Sequence, residues 1–359
     1  MLRLLITCNP GLEDIASMEC MEEIPGCRVL EERQGRGRVI AEAALDSMED
    51  AYIHGSRMRS IHSLIALAVE EHVGKAGDAL DRIYRASLDS GLHKLVPDGA
   101  TFAVEAERIG EGHEYTSMDV ARTVGQAVVD GASAAGRRVH VRLNSPQYTV
   151  YAEVDDSVFR AGLLLSGERS MHRRRYKVYD HPAALKPTLA YSMLRLAGAR
   201  DGETVMDPMC GGGTVAIEAG LLLESSRIIC LERNRSYLHG AVLNAHAARL
   251  AGRIEFIHGD ATRLKEYLEP ESVDVVVSNP PYGIRMGDPG FVRRLYKRLA
   301  PSLYNAMSPG GRAVLITADA GSLARELSKA GFKITHRRRV RHGDLWAMII
   351  RAEKPPGRR

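Results

Sequence analysis

The chain has 359 residues, 45% of them hydrophobic and 26% charged, with a formal net charge of +4, enough for two or more domains with cores of their own. No apolar run approaches the length of a membrane span, and residues 1–8 lack the charged and apolar regions of a secretory leader, so a cytoplasmic protein is expected. The five cysteines, Cys8, Cys20, Cys27, Cys210 and Cys230, form no C-x-x-C pair, suit a reducing compartment and give no metal signature; two of them in apolar runs read as isolated buried thiols.

Residues 2–7 read as a strand, and residues 12–24 have helical spacing after the turn Asn9-Pro10-Gly11. Residues 28–43 read as a hairpin around Gly35-Arg36-Gly37. This first α/β unit ends near residue 60. A second, residues 61–165, has strands expected at 61–69, 101–106, 138–143 and 149–154, with helices at 79–90 and 118–132. Ser117 is expected to cap the second helix, and Asp119 suits its first turn. The stretch from 162 to 175 looks like a linker, and the linker proper is placed at 166–181.

From residue 182 the pattern becomes a regular strand–helix alternation. Strands are expected at 204–206, 228–231, 254–258, 273–277 and 313–317, with helices at 214–223, 236–250 and 292–307. A short helix then leads to strands 333–340 and 345–351. Such alternation predicts a parallel sheet covered on both faces. The connection Arg341-His342-Gly343 is short enough for an antiparallel hairpin between the last two strands. Charge divides with the pattern: residues 1–170 hold 18 basic and 27 acidic side chains, and residues 171–359 hold 31 and 18. Three clusters concentrate the excess: Arg173-Arg174-Arg175, Arg293-Arg294 with Lys297-Arg298, and Arg337-Arg338-Arg339 with Arg341. A basic half is the electrostatic footprint of a polyanion binder.

Four strand ends carry candidate chemistry. The first parallel strand runs into Asp207-Pro208-Met209-Cys210-Gly211-Gly212-Gly213-Thr214. Glycines there allow close backbone approach, and the next helix presents its positive end. Glu232 closes the second strand nineteen positions after Gly213, where an acid is the usual partner of ribose hydroxyls, and Arg233 follows it. Asp260, followed by Ala261, lies just past the third strand and suits an exocyclic amine. The fourth runs into Asn279-Pro280-Pro281-Tyr282, where the prolines stiffen a loop between an amide and an aromatic ring. A dinucleotide-binding dehydrogenase is a rival reading, but the glycine turn is not G-x-G-x-x-G and that reading leaves residues 279–282 unexplained.

The order DPMCGGGT, an acid ending the second strand, GDA and NPPYG resembles a class I S-adenosylmethionine-dependent methyltransferase that modifies an exocyclic amine of a nucleic-acid base. The resemblance implies a Rossmann-like domain at 182–359, with a mostly parallel sheet and an antiparallel C-terminal strand. It implies Asn279 and the Pro280 carbonyl as acceptors for the amine, and Tyr282 as a flat face for a base drawn out of its helix. Cofactor contacts implied are Asp207 through Gly211, Gly213, Thr214, Glu232, Arg233, Asp260, Ala261 and Asn279. S-adenosyl-L-methionine is the cofactor, S-adenosyl-L-homocysteine the product, and no metal is required. Residues 107–128, ERIGEGHEYTSMDVARTVGQAV, resemble a THUMP domain at 61–165, with a ferredoxin-like domain at 1–60 before it. Residues 179–190, YDHPAALKPTLA, are similar to the segment that covers the methionine end of the cofactor in THUMP-bearing RNA methyltransferases, which brings in Pro187 and Thr188.

Among these enzymes the chain is most similar to tRNA guanine-N2 methyltransferases acting on position 6 of the acceptor stem. Those acting on guanosine 10 typically carry Asp where this chain has Asn279. The partner implied is tRNA, with the THUMP domain gripping its 3′ end and a monomer expected. Arg173, Arg174, Arg175, Arg285, Arg338 and Arg339 are the expected RNA contacts, and Arg108, Arg122, Arg137, Arg138 and Arg142 would supply a local patch on the acidic half. Guanosine-10 or rRNA guanine-N2 methylation, DNA adenine or protein glutamine methylation, and non-catalytic tRNA binding by a degenerate fold are the alternatives.

Overall fold

The computed structural model describes residues 1–166, 170–282 and 289–357. The chain divides into two units: Met1–Cys8 with Ala16–Met171, and Asn9–Ile15 with His172–Arg359.

The first unit is built on one eight-stranded sheet. Its strands are β1 (Leu2–Cys8), β2 (Arg28–Arg33), β3 (Arg38–Ala43), β4 (Ile61–His72), β5 (Thr101–Ile109), β6 (His140–Val141), β7 (Tyr148–Asp155) and β8 (Val158–Leu164), in the order β2-β3-β1-β4-β8-β7-β5-β6. Helices α1 (Glu13–Glu23), α2 (Met48–Gly55), α3 (Ala79–Asp89) and α4 (Ser117–Ala134) accompany it, although the first residues of α1 belong to the second unit. Strand β4 pairs with β1 on one edge and β8 on the other, so hydrogen bonds run without a break across the sheet.

Several local details differ from the expectation. Strand β8 occupies residues that resemble the approach to a linker. Gly162 hides it: a Cβ there would lie 2.0 Å from the Ala66 carbonyl oxygen, so the strand needs the glycine that makes it look irregular. The cap of α4 is Thr116 rather than Ser117, which is already helical; the Thr116 hydroxyl and Asp119 form a reciprocal capping box. Strand β6 is two residues long because it pairs with β5 alone, at the sheet edge. Helix α2 has no counterpart among the expected elements. The cysteines are also not all thiols. Cys20 in the last turn of α1 bonds Cys27, Cys210 bonds Cys230, and Cys8 is the free, buried one. Neither spacing resembles C-x-x-C; the chain path brings the pairs together.

Within this unit Glu153 is fully buried and accepts from Arg38 at 2.6 Å, the Tyr151 hydroxyl at 3.0 Å and Arg160 at 3.4 Å. Arg160 also donates to Glu70 at 2.6 Å. The unit therefore pairs its interior charges, as burial in a low-dielectric core requires.

The second unit carries strands β9 (Thr204–Asp207), β10 (Arg227–Glu232), β11 (Ile254–His258), β12 (Val273–Ser278), β13 (Met307–Thr317), β14 (Lys333–His342) and β15 (Leu345–Glu353). Their order is β11-β10-β9-β12-β13-β15-β14. Strands β9 to β13 run parallel, and β15 is antiparallel to both its neighbours. Helices α5 (Pro187–Ala197), α6 (Thr214–Leu222), α7 (Arg235–Ala247), α8 (Pro289–Ala306) and α9 (Ala320–Lys329) complete it.

The apolar run of β12 shows how the layers are held. Val275 and Val277 enter the core shared with α5, α6 and α7. Val273 and Val276 enter the opposite core, with α8 and α9. Burying such a side chain contributes roughly 1.5–3 kcal/mol, which is why a strand apolar on both faces sits at the centre. Helix α5 lies outside the expected elements because it is buried nearly all round and lacks a side-chain cap. Its sequence signals are Pro187 in the first turn and Gly198, left-handed at φ 63°, after its end. The last hairpin is also tighter than expected: Arg341 pairs with Trp346 and His342 with Leu345, so only Gly343 and Asp344 turn. Residues 9–15 join this unit through Asn9, whose amide donates to the Arg341 carbonyl at 3.1 Å, and Asp14, which receives both guanidinium nitrogens of Arg338. Among the described residues, no helix is long and apolar enough to cross a membrane.

Candidate active site

The carboxyl ends of β10, β9 and β12 lie side by side in the sheet, and the candidate residues sit on the loops that follow. Gly211 and Gly213 have φ of +50° and +79°, conformations glycine adopts without the steric cost other residues meet. The loop so formed feeds α6, for which Gly213 is the N-cap. Glu232 orients it: one carboxylate oxygen accepts from the Gly211 N–H at 3.0 Å, the other from the Asn234 N–H at 2.8 Å. Each oxygen keeps a lone pair for a further donor. Arg233 beside it is exposed.

Asp207 is buried, and its Oδ1 accepts from the Ser278 hydroxyl at 2.6 Å and the Met209 N–H at 3.1 Å. Burial pushes its carboxyl pKa up to about 7 against the pull of those two bonds, and the charge of Glu232 adds to the rise. The Asp207–Ser278 bond ties the strand carrying the glycine loop to the strand carrying the Asn279 loop. Asp260 caps a short 3-10 turn through Oδ1, which accepts from the Thr262 N–H at 2.9 Å and hydroxyl at 2.8 Å. Burial raises its pKa, but the Thr262 bonds and the charges of Arg298 and Arg233 outweigh it and hold the carboxyl below its ordinary value. Ala261 is buried in the core beside it.

The Asn279 side chain is engaged at both ends. Its Nδ2 donates to the Ala183 carbonyl at 3.3 Å, and its Oδ1 accepts from the Tyr282 hydroxyl at 2.5 Å. Pro280 is buried, and the Tyr296 hydroxyl on α8 donates to the Pro281 carbonyl at 3.3 Å, pinning the proline step from the helix side. Tyr282 is half-buried against the core that holds Val277. The free protein therefore uses the tyrosine as a hydrogen-bonding residue, through its hydroxyl, where the sequence suggests a use for its ring face.

Residues 179–186 connect the two loops. Asn244, buried on α7, accepts from the Tyr179 N–H at 2.8 Å and donates to the carbonyls of Tyr179 at 3.0 Å and Gly212 at 2.9 Å. The His181 ring stands edge-on to Tyr237 at 4.3 Å, and a Cβ on Gly212 would meet the His181 Cβ at 3.2 Å. The same segment reaches Asn279 through Ala183. Asn244 and Ser278 are not among the expected site residues, their one sequence signal being a buried-type amide within a helix and a hydroxyl beside the proline motif; Tyr179 and His181 belong to the segment 179–190 expected at the cofactor, whose expected contacts are Pro187 and Thr188. Thr188 lies deeper than expected, its hydroxyl donating to Asn9 at 3.1 Å, and Pro187 is buried next to it. Cys210 is joined to Cys230 on β10, which fixes the glycine loop to the neighbouring strand.

The basic candidates separate. Arg173, Arg175 and Arg339 are exposed, with Arg339 stacked 4.4 Å from the ring of Trp346. Arg174 lies 3.6 Å from the buried Glu218, and Arg338 is spent on Asp14, so both point their charge into the protein. Arg285 lies outside the described residues. On the first unit, Arg108 and Arg137 donate to backbone carbonyls, Arg122 faces Asp119, and Arg138 and Arg142 are exposed.

Residues 174–348 match the family described as an RMKL-like methyltransferase domain, and residues 78–160 match the THUMP domain. Over 97% of its length the chain is 35% identical to a tRNA (guanine(6)-N2)-methyltransferase of Archaeoglobus fulgidus, covering 91% of that protein. It is 30% identical to a protein of the same name from Methanocaldococcus jannaschii, covering 96% of this chain and 98% of the other. The crystal structure of TrmN from Thermus thermophilus superposes with a TM-score of 0.79 at 31% identity, covering 99% of this chain and all of that one.

Proposed function

The chain belongs to the THUMP-domain family of class I, S-adenosylmethionine-dependent tRNA (guanine-N2)-methyltransferases, and we propose that its target is guanosine 6 in the acceptor stem of tRNA. The relatives named for guanine 6 support that position, as does asparagine at 279. We assign residues 1–60 to a ferredoxin-like domain, 61–165 to the THUMP domain that holds the tRNA 3′ end, 166–181 to a linker and 182–359 to catalysis. The protein acts as a monomer in the cytoplasm.

The cofactor site fits the residues present. The glycine loop has the positive φ values that close approach demands, and Glu232 is oriented at both oxygens with lone pairs to spare for ribose hydroxyls. Asp260 offers its carboxylate to the adenine amine. S-adenosylmethionine, when bound, supplies an electrophilic methyl carried on a sulfonium.

The chain's own residues then have a positioning task. The N2 amine of guanine is weakly nucleophilic because its lone pair is delocalised into the ring. Acceptance of its two N–H groups by Asn279 Oδ1 and the Pro280 carbonyl aims that lone pair and favours the positive charge that develops on nitrogen. The observation that carries this reading is the 2.6 Å bond from Ser278 to Asp207, which holds the acceptor loop beside the cofactor loop. Arg173, Arg175 and Arg339 supply phosphate contacts.

Asn279→Ala tests the assignment. At saturating S-adenosylmethionine it should lose about a hundredfold or more in methyl incorporation into tRNA; full incorporation would remove the catalytic role. A transcript with position 6 changed from G should accept no methyl, and unchanged incorporation would move the target to another guanosine.

A further inference from the structure

We propose that His342 is a positioning residue of this site, receiving the Tyr282 hydroxyl when the substrate amine takes Asn279. The inference rests on the reading that Asn279 accepts the guanine amine.

A tyrosine hydroxyl carries a single hydrogen and can donate it to one partner at a time. In the free protein the Tyr282 hydroxyl donates to Asn279 Oδ1 at 2.5 Å, and His342 Nδ1 lies 3.3 Å from the same hydroxyl oxygen. The acceptor intended for substrate is thus already engaged by protein. Asn279 Oδ1 has a second lone pair, but two donors on one oxygen weaken each other, so an entering amine N–H loosens the phenol's bond, and a largely enclosed phenol then needs its other partner. His342 is the acceptor in reach. It ends β14, paired with Leu345, and Val340 and Ala347 of the same hairpin lie in the core against which Tyr282 packs, so the sheet fixes the ring's place. The two rings stand edge-on, with centroids 6.2 Å apart.

The protonation states suit an exchange of one hydrogen bond for another, with no proton transferred. Burial holds the Tyr282 hydroxyl pKa far above its ordinary value, so the donor keeps its hydrogen. Burial pushes the His342 ring pKa down; a bond to the Ala184 backbone opposes this and the charge of Lys186 adds to it. A neutral ring has one bare nitrogen, and we take it to be Nδ1, the atom that faces the Tyr282 hydroxyl.

The test is a double-mutant cycle on the full chain, with tRNA methylation and S-adenosylmethionine affinity measured for each variant. His342→Phe should lower kcat about tenfold, the worth of one hydrogen bond, with cofactor affinity unchanged. His342→Asn, which places an amide oxygen near Nδ1, should recover most of the loss. In a Tyr282→Phe background, His342→Phe should cost no more than about twofold. An equal loss in both backgrounds, or no loss with wild-type Tyr282, overturns the proposal. If His342→Phe unfolds, the comparison of His342→Asn with His342→Leu in both backgrounds decides in the same way. Failure of the underlying reading has a separate signature, full activity of Asn279→Ala.

Discussion

Replacing Asp207 by asparagine isolates the cost of burying an acid between two site loops. In the unfolded chain the carboxyl ionises near 3.8, whereas in the folded chain it holds its proton up to about 7. Between those values the unfolded state has released a proton that the folded state retains, so stability falls as pH rises. The penalty is absent below about pH 4 and complete above about pH 7. A rise from 3.8 to about 7, at about 1.4 kcal/mol for each pH unit, amounts to about 4 kcal/mol. The asparagine keeps the oxygen that accepts from Ser278 and Met209 but has nothing to ionise. Denaturant unfolding of both proteins at about pH 5 and about pH 8 should show Asp207→Asn gaining about 3 kcal/mol on wild type across that interval. Groups common to both proteins cancel in the difference. A stability difference that stays constant with pH would refute the buried-acid argument.

Glu232→Ala removes an oriented carboxylate and frees the Gly211 and Asn234 amides; the S-adenosylmethionine dissociation constant should rise about tenfold by calorimetry, and an unchanged constant would end the ribose assignment. Glu153→Ala takes from Arg38 and Arg160 the buried carboxylate they share, leaving Arg38 its pairing with Glu107 and Arg160 its bond to Glu70. It should destabilise by about 3 kcal/mol in a denaturant titration, and a loss under about 1 kcal/mol would mean that those remaining partners suffice. Unfolded without reductant, the chain should expose one reactive thiol, Cys8, against five after reduction; five in both conditions would contradict the two bridges.

The sequence alone determined the sheet of the second unit and the identity of its loops. Strand–helix alternation, with valines facing both ways along β12, leaves few topologies, and the strand ends are where ligands bind such sheets. The placement of Glu232 and the glycine loop at neighbouring strand ends was legible because it depends on position along the chain. Tertiary structure alone decided which side chains meet. Asn244 reaches Gly212 from helix α7, Ser278 reaches Asp207 from the neighbouring strand, and His342 comes to Tyr282 from the far end of the chain. These contacts have no sequence period, since strand order and helix packing set them. The same holds for the cysteine bridges and for the arginines that turned inward to Glu218 and Asp14. A motif names a residue's chemistry; only the folded chain sets which partner uses it, because hydrogen bonds and charges act over a few ångströms of space and not over sequence.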